Sequence, residues 1–157
     1  MARYGLILAL ICIVAAGLLS GVIAQAQAEE TTSLKEVLPQ AESFKPIKSG
    51  GAIIYYEAFD AQGKLIGAAF KASGDGYSST IETMVGMLKD GTITAIKVLT
   101  QNETPGLGTQ VLENKFTAQF TGSKDFSGIQ AITGATISSK AVMNSVKEKS
   151  EEIKKRL

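Results

Sequence analysis

The sequence predicts an α+β domain, an antiparallel sheet flanked by helices, preceded by one N-terminal transmembrane helix. Three observations carry that prediction. The chain opens on a long uncharged apolar run, its middle is crowded with short β-rich runs joined by tight turns, and it closes on a helical pattern. Tight turns between neighbouring strands favour antiparallel pairing, because parallel strands need long crossovers.

Composition narrows the chemistry. The 157 residues suit one domain of ordinary size plus a short segment. Apolar residues make up 45% and charged residues 20%, which excludes wholesale disorder and a multi-span membrane protein. There is no histidine, so imidazole acid–base catalysis and most zinc or haem sites are excluded. One cysteine, Cys12, allows no internal disulfide, CxxC pair or thiolate-held cluster. Redox chemistry would therefore need an imported cofactor. A net charge of +1 shows no nucleic-acid footprint.

Gly5 to Ala24 runs 20 residues without a charge. As a helix it would span about 30 Å, the thickness of a bilayer core. Arg3 precedes it and Glu29 and Glu30 follow, so the positive-inside rule puts the N-terminus in the cytoplasm and the remainder outside. Ala24-Gln25-Ala26 or Ala26-Gln27-Ala28 could serve a signal peptidase, but the run is longer than a usual signal core, which favours a retained anchor. Cys12 lies deep in that run and reads as an ordinary apolar side chain. Gly17 to Gly21 forms a GxxxG pattern, a smooth face for a second helix or simply the small residues common in such segments. The expected division is 1–28, anchor and short linker, and 29–157, an extracytoplasmic domain. Arg3 is the only charged residue before Glu29, so the exported part is neutral overall.

Ser33 to Phe44 reads as a short helix interrupted or kinked at Pro39. Ala52 to Phe59 and Leu65 to Ala72 are strands about the Asp60–Gly63 turn, and Ser79 to Leu88 is a third. Asp90-Gly91 is a hairpin signal, leading to a strand over Ile93–Thr100. Gln110 to Phe120 spaces Val111, Leu112, Phe116 and Phe120 as on a helix. Ser138 to Leu157 is a clearer helix, with Val142, Val146 and Ile153 on or near one face. Ser138 or Ser139 is the expected N-cap, and Lys154, Lys155 and Arg156 form a solvated end that suits the helix dipole.

Two loops carry chemical information. Glu103-Thr104-Pro105-Gly106-Leu107-Gly108-Thr109 leads from a strand toward a helix. Pro-Gly favours a type II turn, and the second glycine permits a close approach to the backbone. Thr133-Gly134-Ala135-Thr136-Ile137-Ser138-Ser139 gathers hydroxyls and small residues at the start of the last helix, which suits a phosphate. Each also reads as a plain connection or capping segment. Gly74 to Ser79 reads as a turn before a strand.

Taken together, ETPGLGT and, about 25 residues later, TGATISS resemble the FMN-binding domain of the G subunit of the Rnf electron-transport complex. The C subunit of the sodium-translocating NADH:quinone oxidoreductase shares that domain. LKEVLPQA, GDGYSS and the Asp-Gly hairpin occur in the family's order, and the short length is more like the Rnf subunit. The resemblance implies FMN held covalently by a phosphoester to Thr136, installed by a magnesium-dependent flavin transferase that uses FAD and releases AMP. It implies that Thr133, Gly134, Ala135 and Ser138 surround the phosphate, and that Glu103, Thr104, Leu107, Gly108 and Thr109 border the flavin. Tyr77 is a candidate to close the pocket. Two positions depart from the family pattern. Gln101 stands where a histidine is frequent, and Gln130 where the transferase usually meets an acidic residue, which bears on the efficiency of flavinylation.

The implied role is a redox relay without catalytic residues or a metal of its own. It would sit in the inner or plasma membrane with other complex subunits as partners, passing electrons between ferredoxin and NAD with sodium or proton translocation. An alternative is a flavinylated domain of another exported reductase or extracellular electron-transfer chain, which would not copurify with membrane subunits. A non-redox binding module of the same fold would stay colourless beside the transferase.

Overall fold

The computed structural model describes residues 28–157. The expected anchor, Gly5 to Ala24, and Cys12 lie outside the described residues. Among the described residues no helix is long and apolar enough to cross a membrane. The chain divides into two compact units at the Thr32–Ser33 step. Of the first unit residues 28–32 are described, and they are helical. The second, Ser33–Leu157, contains the sheet and the site.

Helix α1 covers residues 28–37 and stops short of Pro39, since a residue before proline is pushed out of the helical region. The expected helix to Phe44 is thus two elements, because Ser43 and Phe44 already belong to β1 (Ser43–Ser49). That strand escaped the sequence pattern. It is mostly exposed, carries Pro46 and two lysines, and lies at a sheet edge, where proline costs no ladder bond. β2 (Ala52–Phe59) and β5 (Ile93–Thr100) fall where expected. β3 (Leu65–Asp75) runs three residues past Ala72, and β4 (Thr80–Leu88) begins one residue later than predicted. The five strands form an antiparallel meander in the order β1-β2-β3-β4-β5.

Both faces of the sheet are covered. Phe70, Ala72, Ile81, Val85 and Met87 meet Val111, Phe116, Phe120, Val142, Val146 and Ile153 in the main core. On the opposite face Leu34 and Val37 pack against Tyr56, Ala69 and Met84. The expected helix over Gln110–Phe120 is broken into a 3₁₀ turn (Gly108–Leu112), a short helix α2 (Asn114–Thr117) and a second 3₁₀ turn (Ala118–Phe120). Val111 and Phe116 are five apart and fall out of phase on a continuous helix. Extended backbone at Glu113 (φ −72°, ψ 141°) rephases the chain so that both reach the core.

Helix α3 (Thr136–Lys154) starts two residues earlier than expected and ends before Leu157. Its N-cap is Ala135, so neither Ser138 nor Ser139 is the cap. Both are buried inside the first turns. Ser139, Ser145 and Ser150 return their hydroxyls to backbone carbonyls of their own helix, which makes buried serines acceptable under a sparse apolar stripe. Lys154, Lys155 and Arg156 are exposed, as read from the sequence.

Candidate functional site: a pocket between two loops and a helix end

Three segments converge beside the N-terminus of α3: the turn after β3, the loop after β5, and the residues that open the helix. They enclose a cavity of about 390 Å³ lined by Tyr77, Glu103, Thr104, Leu107, Gly108, Gly134, Ala135, Thr136, Ile137 and Ser138. The turn after β3 is narrower than predicted. Gly74 and Asp75 pair with Ile81 and Thr80, and Gly76 closes the loop by donating to the Ser79 carbonyl.

Glu103 fastens these segments to one another. Its side chain is buried, with 5% of its surface exposed. One carboxylate oxygen accepts from the Ser78 and Ser79 amides at 3.0 and 2.9 Å, and from the Ser79 hydroxyl at 3.2 Å. The other accepts from the Tyr77 amide at 3.0 Å and the Ser138 hydroxyl at 2.5 Å. Burial works to raise its pKa, but the Ser138 hydroxyl and the amides of residues 77–79 outweigh it and hold the carboxyl at about 2. The group is therefore an anion at neutral pH, with its lone pairs directed into the scaffold.

The approach that the second loop glycine was read to permit comes from this carboxylate. A Cβ at Gly108 would lie 2.6 Å from Glu103 Cβ and 2.8 Å from Ser138 Oγ. One at Gly76 would lie 2.6 Å from Glu103 Oε1. Gly106 takes φ +75°, and Leu107 donates to the Thr104 carbonyl, as a type II Pro-Gly turn requires. Thr109 does not line the cavity; its hydroxyl accepts from the Gly106 amide at 2.9 Å and holds the turn. Gln101, at the histidine-like position, accepts from the Glu103 amide at 2.6 Å through its side-chain carbonyl.

The helix end is open by contrast. Ala135 offers no side-chain cap to the first turn of α3. Thr136 is exposed, and its hydroxyl makes no hydrogen bond with the described residues. Ser138 is committed to Glu103. Ser139 donates to the Ala135 carbonyl at 2.8 Å and accepts from the Ile132 amide at 3.0 Å. Thr133 is exposed but faces a neighbouring cavity. The rim is apolar: Tyr77, Leu107 and Ile137 are 72%, 49% and 54% exposed. Ile137 was missed from the sequence; its signal was an apolar side chain out of phase with the Val142–Val146 face. The amides of Ser78 and Ser79 were missed too, and no side-chain pattern marks a backbone donor. Among the described residues no cluster could hold a metal ion.

A cavity lined by the uncapped first turn of α3 and by the apolar side chains of Tyr77, Leu107 and Ile137 has the chemistry to take a phosphate and a flat ring. The FMN-binding domain family matches residues 76–150, from the turn after β3 into α3. The chain belongs to the G-subunit family of ion-translocating oxidoreductase complexes. It is 31% identical over 134 residues to the G subunit of the ion-translocating oxidoreductase complex of Methanosarcina acetivorans, covering 75% of this chain and 71% of that one. It is 33% identical over 146 residues to the G subunit of the proton-translocating ferredoxin:NAD(+) oxidoreductase complex of Clostridium ljungdahlii, covering 85% and 77%. The fold is shared with NqrC of Shewanella oneidensis, with a TM-score of 0.56 at 19% identity over 76% of this chain and 74% of that one.

Proposed function

We propose that this chain is the flavin-bearing electron carrier of an Rnf-type membrane complex, serving ferredoxin:NAD oxidoreduction coupled to sodium or proton translocation. Its membership in the G-subunit family supports the assignment, and other subunits of that complex are its partners. Residues 1–28 form a membrane anchor and short linker with a cytoplasmic N-terminus, and 29–157 the domain on the outer side. The apolar run and the flanking charges support that topology.

In this reading FMN is attached as a phosphoester to Thr136. The single observation that carries it is the contrast among hydroxyls at the start of α3: Ser138 and Ser139 are buried and bonded, while Thr136 is exposed at an uncapped helix end in the cavity. The first-turn amides and the helix dipole suit the phosphate. Tyr77, Leu107 and Ile137 suit the face of a ring. In the attachment step Thr136 Oγ bonds to the flavin-side phosphorus of FAD, the phosphoanhydride bond to AMP breaks, and the hydroxyl proton is released. A magnesium-dependent flavin transferase performs that step. When bound, FMN supplies one-electron acceptance and release. The chain's own residues hold and orient it: Glu103 keeps the two loops at the helix end, and the apolar rim limits water.

The test is intact-mass spectrometry of the denatured chain coexpressed with a flavin transferase, beside Thr136→Ala. A gain of FMN less water in the wild type and none in the variant is expected. A wild type without the gain would sink the attachment reading.

A further inference from the structure

We propose that Gln119 is a positioning residue for the attachment loop, an inference that rests on Thr136 being the attachment site. Residues 121–135 form neither helix nor strand. So long an irregular segment keeps one path only where something fastens it. Its first half is tied to the body. Gly122 and Ser123 bond to the two backbone groups of Ile93, Phe126 sets its ring edge-on to Phe120, and Ile129 is buried.

Beyond Ile129 the segment turns outward, and Gln130, Ala131, Thr133, Gly134 and Thr136 are all exposed. The Gln119 carboxamide grips it there. Its oxygen accepts from the Gln130 amide at 2.8 Å, and its nitrogen donates to the Gln130 carbonyl at 3.3 Å. One side chain thus replaces a neighbouring strand and fixes the peptide planes on both sides of Gln130. Gln119 is itself held, since it precedes the fully buried Phe120 in the 3₁₀ turn Ala118–Phe120. The next fastener is the Ser139 hydroxyl on the Ile132 amide, three residues short of α3. Both clamps lie just N-terminal to Thr133–Thr136 and fasten the stretch of chain that leads into it.

A cavity of about 330 Å³ lies beside the first clamp, lined in part by Glu113, Lys115, Gln119, Gln130 and Thr133. The clamp is therefore open on one side, away from the packed core. Cutting it frees the loop without opening a hole in the hydrophobic interior. Catalysis by a transferase depends on presenting the hydroxyl in line with the phosphorus, so a loosened loop lowers the rate of attachment more than it lowers folding.

The experiment follows FMN attachment to the full chain by intact mass, with purified flavin transferase, FAD and Mg²⁺. It compares wild type, Gln119→Leu, Gln119→Glu and Thr136→Ala. Gln119→Leu is expected to lower kcat/KM for attachment by about tenfold while reaching the same final labelled fraction. Gln119→Glu keeps the acceptor for the Gln130 amide and is expected to lie between wild type and Gln119→Leu. Amide exchange at Gln130 should quicken in the same order. Attachment to Gln119→Leu at the wild-type rate would overturn the proposal. So would equal slowing in both variants with a reduced final fraction, which marks loss of folded chain. Thr136→Ala separates the two levels: a wild type that never labels at Thr136 removes the attachment reading and this inference with it. A wild type that labels there while Gln119→Leu keeps pace removes the inference alone.

Discussion

The two walls of the pocket differ in how their polar groups are spent. On the Glu103 wall a buried carboxylate is met by three amides and two hydroxyls, and two glycines make room for it. On the Thr136 wall an exposed hydroxyl and an uncapped helix turn stand open. The first wall has the character of a scaffold, and under the proposed attachment at Thr136 the second is the acceptor. The difference teaches that rigidity and availability are assigned to different residues of one site. A hydroxyl committed to Glu103, as Ser138 is, is stabilising but is not free for chemistry.

The comparison breaks most sharply at Thr136. Replacing it with alanine should abolish the covalent mass gain and leave stability within about 0.5 kcal/mol, because an exposed, unbonded hydroxyl contributes little to folding. Denaturant melts of the two chains, both without flavin, check the second half. A large loss of stability would place Thr136 in the scaffold instead.

Glu103 should behave in the opposite way. Glu103→Ala strands three amides, and a cost on the order of 3 kcal/mol is expected. Glu103→Gln should cost less, about 1–2 kcal/mol, because its NH₂ can face the rotatable Ser138 hydroxyl while opposing only the Tyr77 amide. The sign with pH follows from the lowered pKa. The folded chain holds this carboxyl at about 2 against an ordinary value of 4.5, so its stabilisation is full above pH 4.5 and is lost as pH falls toward 2. Asp90, Asp125 and Glu152 are lowered as well, but they lie at the surface, where solvent screening leaves little of that shift in stability. The measurement is therefore the difference between wild type and Glu103→Gln: the gap in stability should be constant at neutral pH and close across that acid window.

Ser138→Ala sharpens the comparison at smaller scale. It removes one of the hydrogen bonds that lower the Glu103 pKa and should cost about 1 kcal/mol. The acid limb of the stability curve should move to higher pH, since the folded-state pKa rises toward its ordinary value. An unmoved acid limb would mean that the amides alone hold the carboxylate.

What the sequence disclosed and what it hid divide along the same line. The strands of the meander were legible because β-branched and aromatic residues alternate between turn signals, and β2 and β5 fall on their predicted ends. β1 was hidden, since an exposed edge strand with a proline and lysines has no buried face to mark it. The Gln110–Phe120 helix was misread because periodicity cannot show where a chain breaks to bring two aromatic rings and a valine to one core. Of the site, residue types at fixed spacing disclosed both loops. Glu103 was expected to border a ligand, and it lines the cavity while spending its oxygens on the scaffold. Its partners are mostly backbone amides 24 to 26 residues away, which no side-chain pattern records. The start of α3 was placed two residues late for a related reason. Serine is a good cap in general, but here Ser138 is taken up by Glu103 and Ser139 by the Ala135 carbonyl, both from positions inside the helix.

An effect of opposite sign lies away from both walls and tests whether the sheet beneath them is optimised as the Glu103 wall is. Thr83 in β4 is fully buried, and its hydroxyl has no hydrogen-bond partner among the described residues. Its strand neighbours Ile81 and Val85 belong to the main core, so the hydroxyl is desolvated among apolar groups. Valine has the same branched shape without the polar atom. Removing an unsatisfied buried hydroxyl is expected to stabilise the chain by about 1 kcal/mol, seen as a higher denaturation midpoint at unchanged slope. A destabilised Thr83→Val would show that the hydroxyl is satisfied in solution, by water reaching the strand. The sheet would then be as fully paired as the carboxylate above it.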